Sequence, residues 1–481
     1  MKFSDKYYES KEFQQILARY EAAKANGRSL YMEPEELADI AEYYQMLGNG
    51  VEATNVLEHG LSMFPGSDIL LALRARMALF NNNDIAMAQQ YVSQIVDTTS
   101  FEYYYIVAEI MLADKRPDDA DQYLNDVVSK IDDEEERDDF YVDSAMLFAD
   151  YNCYDIAATW LERSTDYEAD DYKQLQGRIA LHKGNYEESE RIFNELLDRD
   201  PFSAPYWNSL ASTQLLKGNA RESIESSEYS IAINPEDPDA LLNKANGLLR
   251  LGNYTEARNY YHRFSELYPD DEVGYLFEGV CCLNDESIDD AIAFYLQAEK
   301  VALQHQPASN ANLLDIYNEL ALAYALKHDS EKAMSYNDKM AEIPDADTDE
   351  VLVMRGHLLM SMGQIKEGRD AYIQALKHSD GSPKIFLKIA ISTYDLRLYD
   401  HSYRMFQFLR RNTDDSWNEG YSYEALCCYA LHKDDEFLEA VKMAIEKNPY
   451  EAQLVLSDVF PPDLEVKDYY QWLLEGNTPL I

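Results

Sequence analysis

Basic side chains are scarce in this chain. There are 42 Lys and Arg against 89 Asp and Glu, a formal net charge of −47. Nucleic-acid binding relies on neutralising phosphates with Lys and Arg, so this balance excludes a nucleic-acid partner from the expectations. Anionic membrane surfaces are repelled for the same reason, and protein or peptide partners that are basic or neutral are the natural ones. Long apolar runs are also missing. The nearest, 69–80, is broken by Arg74 and Arg76 and falls short of the ~18 residues of a spanning helix. Cysteine is limited to Cys153, Cys281, Cys282, Cys427 and Cys428, with no CxxC. Adjacent residues such as Cys281 and Cys282 do not share a helix face and make poor joint metal ligands. Small buried thiols in a reducing compartment are expected instead. The opening MKFSDKYYESKEF has no apolar core and no cleavage site, so the expectation is no secretory signal and a cytoplasmic location.

Glycine and proline are sparse too, 18 and 15 in 481 residues, which suits a helical chain. Where they do occur is periodic. Three consecutive segments read HKGNYEESERIFNELLDRDP, LKGNARESIESSEYSIAINP and RLGNYTEARNYYHRFSELYP. Gly184, Gly218 and Gly252 lie 34 residues apart, as do Pro201, Pro235 and Pro269. Glycine supplies a turn with positive φ after a first helix. A second helix follows, with a small residue early and apolar residues four and seven further on, the spacing of one helix face. Proline closes the unit because it cannot continue a helix interior.

The small position recurs at Ala53, Ala88, Ala120, Ala157, Ser189, Ser223, Ala257, Ala291, Ala333, Gly368 and Ser402, and Phe437 occupies it poorly in a last unit. Steps run from 32 to 37 residues except the 42 from Ala291 to Ala333, which contains QHQPASNAN around Pro307. This predicts a longer loop or an extended helix at 306–313. Repeats are expected over 34–305, eight units most regular at 170–300, and over 314–451, four units. A leading helix within 1–33, ended by Gly27, and a trailing helix within 452–481 are expected to cap them. The acidic stretch 132–139 reads as a solvated loop leading into a helix.

This pattern resembles the tetratricopeptide repeat family. The unit 204–237 carries it with Trp207, Leu210, Ala211, Gly218, Ser223, Ile231 and Pro235. The unit 238–271 carries it with Ala245, Gly252, Tyr254, Ala257, Tyr261 and Pro269, and the unit 34–67 with Gly48, Ala53, Leu57, Leu61 and Pro65. Units near 102–134, 138–168 and 383–416 lack the Gly or the Pro. The resemblance covers residues 34–451, 418 of 481. It implies an all-α fold, an α-solenoid or right-handed superhelix of about 12 helix-turn-helix repeats with capping helices. It also implies that the first helix of each unit lines a concave surface.

On that register the inward residues across 170–271 include Gln174, Arg178 and His182, then Asn208 and Ser212, then Asn246 and Arg250. Amides there can bond an extended peptide backbone, and Arg178 and Arg250 can hold a carboxylate. The family's chaperone-tail clamp places Lys at the fifth position of two units. Gln174, Asn208 and Leu242 stand at those positions, so the clamp is not expected.

None of HExxH, GxSxG, GxxxxGK(S/T) or GxGxxG occurs, and the nine histidines fall at unrelated repeat positions. A non-enzymatic protein- or peptide-binding scaffold without cofactor or metal is therefore the leading expectation. An alternative is a structural or self-associating subunit using 352–411, where ten basic residues stand against five acidic ones. A remote alternative is a ligand sensor or enzyme with its site in the 170–271 groove.

Overall fold

The computed structural model describes residues 5–8, 10–25, 31–47, 49–82, 84–304, 311–344, 346–461 and 464–480. Among these, every regular element is helical, and the helices alternate as the first and second members of antiparallel pairs. The fold is the all-α repeat solenoid expected from the spacing. The chain divides into two compact units, Met1–Ile192 and Phe193–Ile481, with the division inside helix Tyr186–Arg199.

Local chemistry sets each pair. Gly184, Gly218 and Gly252 follow first helices with φ of 75°, 100° and 74°, the left-handed turn that the sequence spacing called for. The irregular units make a corresponding turn without glycine. Lys115, Asn152, Glu286, His328, Arg397 and His432 hold φ between 56° and 60°. A side chain in that region costs roughly 1–2 kcal/mol, so packing elsewhere in those pairs offsets it. Helix starts are capped by side chains: Asp237 accepts from the Ala240 amide, Asp329 from Lys332 and Asp84 from Met87.

The small position works as spacing predicts. Ala53, Ala88, Ala120, Ala157, Ser189, Ser223, Ala257, Ala291, Ala333 and Ser402 are all fully buried. At Gly368 a Cβ would come within 2.8 Å of the Gly356 carbonyl, so even alanine is too large there. Apolar faces follow helical periodicity, as in Tyr254–Leu267, which buries Ala257, Tyr261, Phe264 and Ser265.

Successive first helices also pack on one another. In the first unit Asp68–Asn82 touches both Pro34–Met46 and Phe101–Ala113. In the second, Ala204–Lys217 touches Pro238–Arg250, and Thr348–Ser361 touches Ala311–Leu326 and Pro383–Asp395. Apart from Asp434–Lys447 against the trailing helix Tyr469–Leu474, neighbouring second helices make no comparable contact among the described residues. Crowding on one side and spacing on the other is curvature, with first helices on the inner face of each unit. Within the second unit, Gln453 Nε2 on helix Pro449–Leu456 donates to the Gly218 carbonyl at 3.1 Å, tying that helix to a turn 235 residues away in sequence.

The ends differ in detail from expectation. Helices Asp5–Tyr8 and Lys11–Ala25 open the described chain, and Gly27 and Gly48 lie outside the described residues. The boundary at 451 falls inside helix Pro449–Leu456, because Pro449 starts a helix after the Asn448 cap rather than ending a unit. The trailing helix is short: a 3-10 turn Val466–Asp468 leads into Tyr469–Leu474. Pro307 and the rest of 305–310 lie outside the described residues. The preceding helix, Ile288–Gln304, is extended to 17 residues against 14 in Tyr254–Leu267.

Candidate binding face

The predicted groove residues fall on first helices of both units. In the first unit Gln174, Arg178 and His182 share helix Asp170–His182. Arg178 Nη2 donates to Asp150 Oδ1 at 2.9 Å, so its charge is already matched by the preceding first helix. His182 stacks on Tyr154 with centroids 3.7 Å apart, and burial together with Arg178 holds its pKa below the usual histidine range.

In the second unit the polar groups form a ladder between neighbouring first helices. Asn208 Nδ2 donates to Asp237 Oδ1 at 2.9 Å, and Ser212 Oγ to Asn243 Oδ1 at 3.1 Å. Asn243 Nδ2 in turn donates to the Asn208 carbonyl at 3.2 Å, and Arg250 Nη1 to the Leu215 carbonyl at 2.9 Å. Asn246 Oδ1 accepts from the Tyr261 hydroxyl at 2.5 Å. Asn208, Ser212, Asn243 and Arg250 therefore hold repeat to repeat, while Asn246 joins the two helices of its own repeat. Asn208 Oδ1 and Arg250 Nη2 are buried without a protein partner, and they are the bonding capacity that the ladder leaves over.

A second set of inward residues, outside those expected from the sequence, lines an open concavity. First helices Ala311–Leu326, Thr348–Ser361 and Pro383–Asp395 surround a cavity of about 570 Å³ in the second unit. That lies in the range of small-molecule and side-chain pockets, roughly 300–1,000 Å³. Its apolar wall is formed by residues such as Leu314, Leu322, Met354 and Ile391, and four carboxylates reach it: Asp315, Asp347, Glu350 and Asp395. The one lysine in the wall, Lys388, is ion-paired with Glu350. Asp347 caps its own helix by accepting from the Asp349 and Glu350 amides at 2.8 and 3.3 Å.

Burial pushes the Asp395 carboxyl up to about 6 and raises that of Asp315. Asp395 is open to the solvent of the cavity, and its shift reflects the protein mass around that concavity. His357 is half-buried, and burial lowers its pKa, so it is neutral at pH 7. Its Nδ1 lies 2.9 Å from Ser392 Oγ, which is 2.6 Å from the Tyr372 hydroxyl. This chain crosses from one first helix to the next and fixes the cavity floor.

A signal for this site existed. It is the same inward register carried past 271, but the 42-residue step displaces that register by about two helical turns. Of the basic segment, Lys388 faces the cavity. Lys366, Arg369 and Lys377 are exposed on second helix Ile365–His378, and Arg404 and Arg411 on Tyr399–Asn412, in line with a lateral placement.

Paired helices joined by left-handed turns, small residues at each crossing and a concave row of first helices define an all-α repeat solenoid. Residues 154–240 and 242–307 match one family model for the tetratricopeptide repeat, and 349–377 match another of the same description. The chain is a tetratricopeptide repeat protein. Among solved structures it is similar to a tetratricopeptide repeat protein from Parabacteroides merdae, at 12% identity over 58% of this chain and 99% of that one, TM-score 0.42. It is also similar to pilF of Pseudomonas aeruginosa, at 19% identity over 47% of this chain and 98% of that one, TM-score 0.37. A tetratricopeptide repeat protein from Thermus thermophilus shares 18% identity over 39% of this chain and 98% of that one, TM-score 0.33. No curated protein matches the sequence.

Among the described residues no cluster of His, Cys, Asp and Glu could hold a metal ion, and no helix is long and apolar enough to cross a membrane.

Proposed function

We propose that this protein is a non-enzymatic scaffold that holds a segment of a partner protein against the concave face of its second unit. The cavity between the three first helices carries this reading. A packed solenoid has no structural need for about 570 Å³ of open space on its inner face. The same inner face continues toward the regular block through first helices Ala204–Lys217 and Pro238–Arg250, which carry Asn208, Ser212, Asn246 and Arg250. Gln174, Arg178 and His182 form a separate candidate patch on the first unit's own helix Asp170–His182.

The Ser392–His357 pair does not favour a hydrolase. Ser392 sits inside a helix, where backbone amides are already bonded to carbonyls four residues earlier. The backbone amides beside Ser392 are therefore not free to hold a developing oxyanion. The buried thiols of Cys281, Cys427 and Cys428 are pushed up to about 12, which keeps them protonated and poor nucleophiles.

A photo-crosslinking residue placed at Asn318, in the cavity, is expected to give a discrete partner adduct in cells. The adduct should disappear when Met354→Arg fills the space. Adducts formed only from Gln374, exposed on a second helix, would move the binding face to the outside and overturn the reading.

A second reading rests on Lys366, Arg369, Ile373 and Lys377, which share an exposed stripe of helix Ile365–His378. Spacing of three and four places them side by side, and another copy of this acidic chain is a complementary partner. Sedimentation at 0.05 M and 0.5 M salt tests it. Self-association that weakens sharply at high salt is the expected result, because surface charge pairs are screened over about 10 Å at 0.1 M.

A further inference from the structure

Among the carboxylates that reach the cavity, Asp347 is used as a helix cap and Glu350 is paired with Lys388. Asp315 and Asp395 have no ion-pair partner among the described residues. They stand on the two outer first helices of the three, with Met354 and His357 on the helix between them. The neutral imidazole adds no positive charge, so the wall carries four carboxylates against one ammonium. A cation entering here meets two carboxylates that lack a counter-charge. The stem of a Lys or Arg can lie along Leu322, Met354 and Ile391 while its head reaches the acids.

Resting on the scaffold reading above, we propose that the cavity receives a Lys or Arg side chain from an extended segment of a partner protein, with an aliphatic side chain two residues away filling the remaining apolar space. Alternate residues of an extended chain point to the same side, which sets the spacing of two. Desolvation by the surrounding protein raises the pKa of Asp315 and Asp395, and a cation placed beside them would oppose that shift.

Selection of a phage-displayed random dodecapeptide library on the full chain tests the proposal. Enriched clones are expected to carry Lys or Arg two positions from Leu, Ile, Val or Met. A synthetic peptide from that set, measured by fluorescence polarisation, should bind at least tenfold more weakly to Asp315→Asn/Asp395→Asn. Replacing its basic residue by citrulline should give a similar loss. Both losses should occur with helicity unchanged.

Enriched clones without a cation, or cationic clones bound equally well by the double variant, overturn the proposal. If such clones are still lost on Met354→Arg, the concave-face reading survives and only the charge assignment falls. If they are indifferent to both variants, both readings fall. Failure to enrich any peptide, with spermidine alone binding, likewise overturns it in favour of a small amine.

Discussion

Replacing Arg76 by alanine is expected to destabilise the first unit by about 3–5 kcal/mol. Arg76 and Glu109 lie on neighbouring first helices, Asp68–Asn82 and Phe101–Ala113, and Arg76 Nε donates to Glu109 Oε1 at 2.6 Å. Glu109 is 4% exposed, and its second oxygen has no protein partner. Removing the guanidinium therefore strands a buried carboxylate. Glu102, 3.6 Å from Arg76, is the other acid at the pair, Glu42 acts on it from Pro34–Met46, and Tyr151 faces it from the end of Glu134–Asp150.

The pH dependence follows from the direction of the shift. Burial already raises the Glu109 pKa, and attraction from Arg76 only partly opposes it. A carboxyl with a raised folded pKa binds more proton folded than unfolded. Its contribution is fully present below the unfolded value and is lost as pH rises through the folded value. Removing Arg76 raises that folded value further, so the deficit should be larger at pH 8 than at pH 5. Urea titrations at both pH values measure it. The apolar pair Arg76→Met/Glu109→Leu should recover most of the loss, since desolvation of both charges is removed together. A deficit under about 1 kcal/mol at pH 8, the scale of an exposed pair, would place Arg76 on the surface.

Much of this architecture was legible because helix pairs punctuate themselves. Gly184, Gly218 and Gly252 and their prolines set the period, and the small residues carried it into units without either. Turns at Lys115 and Glu286 were not legible, since the left-handed conformation there is imposed by packing around residues that do not favour it. The site was legible only as a rule. Inward register pointed to Asn208, Ser212, Asn246 and Arg250, but not to the bonds that Asn208, Ser212 and Arg250 make to the neighbouring repeat. The cavity residues escaped for two reasons. The long step before Ala333 displaces the register. In addition, single acids such as Asp315 and Asp395 carry no signature among 89 Asp and Glu. Their place in the cavity wall and a missing counter-charge distinguish them, and both are properties of the folded chain.

Trp160→Ala is the second large effect expected, about 3–5 kcal/mol. Trp160 is fully buried on the eight-residue second helix Tyr154–Leu161, too short to hold itself by propensity. Its ring lies 6.4 Å from Phe148 in a stacked arrangement and 6.1 Å from Phe140 edge-on. The indole Nε1 donates to Asp121 Oδ1 at 2.7 Å, and the Arg163 guanidinium sits 4.2 Å from the ring centroid. Alanine would remove the packing, strand Asp121 and release Arg163 together. Phenylalanine keeps most of the packing and forfeits the hydrogen bond, which is worth about 1 kcal/mol, so Trp160→Phe separates the two contributions. In a repeat array stability is close to a sum of repeats and nearest-neighbour interfaces, which confines the damage. Amide exchange should therefore accelerate in Pro117–Val128 and Glu134–Asp150 while Asp434–Lys447 keeps its protection. Equal acceleration in Asp434–Lys447 would show the chain unfolding as one block. An unmoved urea midpoint would show that the buried indole carries little of the first unit's stability.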